Sequence, residues 1–88
     1  MIIFENRTTA IDTTPVEVID DTTYQITVTG EFDGANVDVM VSIESLRPLS
    51  VKTLHEPGEV VLNVKAGTSW YLSVTDVGPD TDIDAGYL

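Results

Sequence analysis

The sequence predicts an all-β domain, a two-layer antiparallel β-sandwich of Ig-like size with about seven short strands. Three observations carry that expectation. Apolar and polar residues alternate with a period of two along several short runs, turn-forming residues separate those runs at intervals of about 8 to 12 residues, and no stretch keeps apolar residues at helical spacing over three turns. The clearest alternation lies between Tyr24 and Glu44. Tyr24, Ile26 and Val28 interleave with Gln25, Thr27 and Thr29, and beyond a turn Val37, Val39, Val41 and Ile43 interleave with Asp38, Met40, Ser42 and Glu44. Side chains on a strand point alternately to its two faces, so each run has one core face and one mostly polar face. Asp33-Gly34 between them accepts the positive φ angles of a tight turn, and the pair of runs is expected to form a hairpin.

From the beginning of the chain, Ile2, Ile3 and Phe4 form a short edge strand or an arm that docks on a neighbour, with the strand favoured. Residues 1–14 are thus an N-terminal strand or arm, 15–78 the sandwich, and 79–88 an acidic C-terminal tail. Pro15 opens a short strand over Val16 to Ile19, where a missing amide hydrogen is tolerated at the first position. Asp20-Asp21 turns the chain into the central runs. After Glu44 the alternation breaks, and Pro48 makes Ser45 to Leu49 a crossover loop or an edge. Ser50 to Leu54 reads as another short edge strand, on which Lys52 discourages further pairing. Pro57-Gly58 has the residue order of a type II turn. Glu59 to Lys65 then turns Val60, Leu62 and Val64 inward, Ala66-Gly67 reverses the chain, and Ser69 to Thr75 turns Trp70, Leu72 and Val74 inward. Tyr24 and Trp70 are the large core residues expected to join the sheets.

With 88 residues the chain is one small domain, burying about 60 to 65% of its unfolded surface, so association would add to its stability. It has no cysteine, which removes disulfides and thiolate metal sites and permits an intracellular origin. No basic and apolar leader precedes the domain, which argues against Sec secretion, and Met1 to Phe4 is too short to span a membrane.

Four Lys and Arg stand against fifteen Asp and Glu, a net charge of -11. Phosphate backbones require clustered bases, and Arg7, Arg47, Lys52 and Lys65 are scattered, so nucleic-acid binding is not expected. Acidity keeps a small β protein soluble and discourages edge pairing; it also suits a polyanion mimic that blocks a DNA-binding protein. Many acids stand beside turns, however, where turn chemistry accounts for them.

Candidate chemistry is sparse. Asp80, Asp82 and Asp84 have the alternating carboxylate spacing with which calcium loops begin, but the glycine falls one place late, at Gly86, and no bidentate glutamate follows. A looser calcium site completed by another strand or subunit is the minor reading, a solvated acidic tail the major one, and no cofactor is expected. His55-Glu56 lacks a nucleophile placed to use it, and the serines lack a nucleophile elbow, so no enzyme is expected. Tyr71 or Tyr87 could present an aromatic platform to a sugar, which would make the chain a carbohydrate-binding module.

The segments VTGEFDGANVDVMVSIE and GEVVLNVKAGTSWYLSVTDVGPDTDI resemble a pattern in small all-β virion proteins of tailed bacteriophages. That pattern is a strand, a Gly-x-Phe-Asp-Gly-Ala turn, a valine-rich strand, and a later alternating strand after a small-residue turn. The likeness covers roughly Tyr24 to Ile83. It implies a virion structural protein made in the host cytoplasm, above all a capsid decoration or cement protein that binds between major capsid subunits. A head-to-tail or tail-associated Ig-like module is the lesser implication. Its partners would be the major capsid protein or other virion subunits, with no nucleic acid and no membrane, and shell symmetry would favour a homo-oligomer, trimer or dimer. The expected contact residues are the terminal apolar ones, Ile2, Ile3, Phe4, Ile83, Tyr87 and Leu88, because terminal arms can order on docking.

Overall fold

The computed structural model describes all residues from Met1 to Leu88. It contains nine strands and no helix: β1 (Ile2–Arg7), β2 (Ile11–Asp12), β3 (Val16–Glu17), β4 (Thr22–Glu31), β5 (Asn36–Ile43), β6 (Leu49–Leu54), β7 (Gly58–Val64), β8 (Thr68–Thr75) and β9 (Asp82–Tyr87). One sheet has the order β1-β9-β4-β7, the other β2-β8-β5-β6 with β3 also beside β8. All pairings are antiparallel. The all-β, two-sheet architecture is as expected, with nine strands in place of about seven. The excess comes from β2 and β3, two-residue pieces that each pair with β8.

The alternation places one core between the sheets. Ile26 and Val28 of β4, Val60, Leu62 and Val64 of β7, and Ile83 and Ala85 of β9 meet Val37 and Val39 of β5 and Trp70, Leu72 and Val74 of β8 in a single cluster. An aromatic trio bridges the layers at one end. The ring of Trp70 lies 5.2 Å from that of Tyr24 and 5.1 Å from that of Tyr87.

The turn at Asp33-Gly34 forms, but the hairpin does not. Asp33 and Gly34 both have positive φ (44° and 86°) and the Ala35 N–H donates to the Phe32 carbonyl at 2.9 Å, as in a type I′ turn. Yet β4 pairs with β7 and β9, whereas β5 pairs with β6 and β8. The reason lies beside the turn. Phe32 and Ala35 are both buried, so the two residues that would open a hairpin ladder instead fill the space between the sheets, and the chain crosses from one layer to the other.

The true hairpin is β5 to β6. Val37 lies opposite Leu54 and Val41 opposite Leu49, so Ser45 to Pro48 is a hairpin connection, not a crossover. Gly58 does not have positive φ; it opens β7 opposite Val28, and Pro57-Gly58 is therefore no type II turn.

Residues 79–88 are not a solvated tail. β9 runs between β1 and β4, with Gly86 opposite both Ile2 and Thr27. Residues 1–14 are likewise integral, since β1 is a strand on β9 and β2 a strand on β8. The flanking segments and the 15–78 region thus share one core.

Candidate functional site: two apolar lateral edges

Of the six terminal residues expected to make contacts, the structure divides three ways. Ile83 has no exposed surface; it faces inward from a strand bonded on both sides and cannot touch a partner. Ile3, Phe4 and Tyr87 are half-buried against the core. Ile2 and Leu88 remain exposed, at 65% and 83%. Burial follows from the role of β9, whose inward positions are needed to close the first sheet over Trp70. Tyr87 is correspondingly spent as a sugar platform, because its ring stands edge-on to both Trp70 and Tyr24. Tyr71 lies on the other face of β8, opposite Met40 and partly exposed.

Asp80, Asp82 and Asp84 do not converge. Asp82 and Asp84 are exposed on the outer face of β9, where residues two apart stand about 6.6 to 7 Å from each other. Asp84 accepts the Asn6 backbone N–H at 2.7 Å, and Asp80 lies in the preceding loop, its backbone N–H donated to the Asp33 carboxylate at 2.7 Å. Nowhere do three His, Cys, Asp or Glu side chains gather in a form able to hold a metal ion. The acids around this end of the sandwich act as loop fasteners. Thr81, the one buried polar residue, completes them: its hydroxyl donates to the Phe32 carbonyl at 2.7 Å and accepts the Gly78 N–H at 2.9 Å.

His55 is also engaged in structure, its Nδ1 lying 2.6 Å from the Asn36 Oδ1, while Asn36 donates to Asp76 at 2.7 Å. The carboxyl of exposed Asp21 is held below its ordinary range by the Ala66 backbone N–H and then by the Lys65 ammonium.

What the surface does offer is apolar area, on two opposite lateral sides. On one side β1 lies over β2 and β3, leaving a cleft lined by Ile2, Ile3, Pro15 and Val16 and floored by Trp70, whose buried indole N–H has no hydrogen-bond partner. Met1 and Ile2 on this side are exposed; Leu88 is exposed too, but it is bonded to Gln25 of β4, away from the edge. On the other side the edge strands β6 and β7 leave a groove of about 430 Å³ between the layers, lined by Val41, Ile43, Val51, Leu62 and Val64. Beside it Ile43, Leu46, Leu49 and Val51 are exposed. Contiguous exposed apolar surface of this kind marks interaction sites more than chance does.

Comparison with family models, with curated proteins and with solved structures finds no match to this chain.

The β5–β6 side was not among the expected contacts. Its signal is in the sequence only in part: Leu46 and Leu49 stand around Pro48 where the alternation breaks and lack a defined core face, whereas Ile43 and Val51 belong to the strand runs on either side. Which side of the sandwich they would lie on depends on pairing that no local pattern reveals.

Proposed function

We propose that the chain is a structural protein of a tailed-phage virion, an Ig-like capsid decoration protein that binds between shell subunits and opposes their separation. The phage assignment is supported by the resemblance over Tyr24 to Ile83. The binding role is supported by one observation above the rest: a small acidic domain carries exposed apolar residues on both lateral sides, while its histidine and buried threonine are tied into loop structure. A module with two such sides can meet the shell with one and a further neighbour with the other, and binding free energy at a subunit junction stabilises that junction. The remaining surface, dominated by carboxylates, is suited to face solvent. In this reading the exposed terminal residues Met1, Ile2 and Leu88 dock on the shell, with Ile3 and Phe4 ordered beneath them, and Ile83 serves only to seat β9.

The test is co-sedimentation with empty shells of the phage that encodes the chain. The native protein should pellet with the shells and raise their melting temperature, and Ile2→Asp with Leu88→Asp should reduce the bound fraction without unfolding the protein. A protein that stays in the supernatant and leaves shell melting unchanged would remove the decoration reading. Capture of a host nucleic-acid enzyme by the immobilised protein would then favour the polyanion mimic.

A further inference from the structure

The β6 side has a feature that apolar exposure alone does not explain. Strand β6 ends the second sheet, bonded to β5 on one side only, so the other side presents backbone donors and acceptors to whatever approaches. The chain carries a net charge of -11, yet from Glu44 to Glu56 the acids Glu44 and Glu56 are balanced by the bases Arg47 and Lys52. Lys65 stands close by, lining the groove. Two copies of so acidic a protein repel each other over most approaches. They repel less here than over the acidic faces.

We propose that this edge pairs with the same edge of a second copy across a two-fold axis, β6 antiparallel to β6, so that the two outer sheets become one continuous sheet. The register follows from the faces. Leu49 and Leu54 lie opposite Val41 and Val37, on the core side, whereas Ser50 and Thr53 lie opposite Met40 and Asp38, on the outer side, the bulge between Val39 and Met40 allowing both. Directly opposed residues of an antiparallel pair share a face. One two-fold register puts Leu49 against Leu54 of the second copy and Ser50 against Thr53 of the second copy. Arg47 and Glu56 lie just beyond the two ends of β6, so antiparallel pairing brings Arg47 toward Glu56 of the second copy, twice, by symmetry. An isologous interface of this kind closes on itself and stops at two copies.

Lys52 sets the strength. It lies opposite Val39, on the core side of the edge, and an inward-facing charge on an edge strand weakens pairing. The dimer is therefore reversible, and Lys52→Thr tightens it. A second copy covers Val51 and the exposed flank of Leu49 while leaving the terminal residues Ile2 and Leu88 free, so self-association and shell docking use different surfaces.

Sedimentation velocity of the purified protein, without particles, tests the pairing. A reversible dimer is expected. Leu49→Asp should weaken it by about tenfold or more, as loss of a central apolar contact does. Arg47→Glu should also weaken it, and Arg47→Glu with Glu56→Arg should restore it. Because the chain has no cysteine, crosslinking reads the register directly: an equimolar mixture of Ser50→Cys and Thr53→Cys chains should oxidise to a heterodimer, since opposed Cα atoms about 5 Å apart suit a disulfide. Ser50→Cys alone should not. A chain that stays monomeric to about 1 mM, a dimer indifferent to Leu49→Asp, or crosslinking of Ser50→Cys with itself overturns the proposal. None of these outcomes bears on particle binding, so this inference and the decoration reading fail separately.

Discussion

Tyr87 stands edge-on to Trp70, ring centroids 5.1 Å apart and planes at 84°, and so ties the last strand of one sheet to the centre of the other. Trp70 has no exposed surface, and the positive edge of one ring against the negative face of the other adds to the burial. Tyr87→Ala should cost about 2 to 3 kcal/mol, below the full value for a buried aromatic because Tyr87 is half-exposed. Deleting residues 80–88 should abolish cooperative unfolding, since it strips Ile83 and Ala85 from between β1 and β4. Thermal melting by circular dichroism distinguishes this from a solvated tail, whose removal would leave the transition in place.

Thr81 supports the crossing between layers. Thr81→Val keeps the shape and removes the hydroxyl, leaving the Phe32 carbonyl and the Gly78 N–H without their partner. Stability by urea denaturation should fall by about 2 to 3 kcal/mol, the scale for stranded buried polar groups. A loss no larger than that of an exposed threonine would mean that water replaces the hydroxyl.

Two glycines with positive φ should respond unequally to alanine. A Cβ on Gly30 (φ 107°) runs into the Asp82 carbonyl, whereas one on Gly67 (φ 89°) meets nothing within 4 Å. Gly67→Ala should cost roughly 1 to 2 kcal/mol from backbone strain alone, and Gly30→Ala clearly more, because β9 must shift away from β4. Equal losses in the same denaturation assay would contradict the packing of β9 beside Gly30.

Asp21 gives the chain a defined acid response. Its pKa is lowered from 3.8, first by the Ala66 N–H and then by Lys65. A carboxyl whose folded pKa is depressed contributes stability above its unfolded pKa and loses it as pH falls through the folded value. Asp21→Ala should therefore lower the melting temperature at neutral pH. The gap between variant and native protein should narrow below pH 3.8 and close at more acid pH, where the native carboxyl is protonated too.

The inward sets of β4, β5, β7 and β8 were legible because period-two alternation is a direct imprint of a half-buried strand. Asp82, Ile83, Asp84, Ala85 and Tyr87 carry the same alternation. Their carboxylates share their spacing with calcium loops, and two-residue spacing cannot separate a coiled loop from the outer face of a strand. The Asp33-Gly34 turn was legible in its φ angles and misleading in its pairing. Turn geometry is local, whereas the sheet that receives the next strand depends on Phe32 and Ala35 finding room in the core. For the same reason the terminal apolar residues could be named only as a group, and Ile83 could not be told from Ile2 as the buried one. Ser50 to Leu54 was legible as an edge strand, and β6 is one, but the strand it pairs with was not, because strand order is a property of the whole chain.

Amide hydrogen exchange by mass spectrometry, on the protein free and bound to shells, tests most directly that contacts lie on the lateral edges. Binding should slow exchange in peptides covering Met1 to Glu5 and the last residues through Leu88, and concentration-dependent self-association should slow it over Leu49 to Leu54. Protection centred on the outer sheet faces, around Tyr71 or around Thr27 and Thr29, with the edges unchanged, would contradict the account.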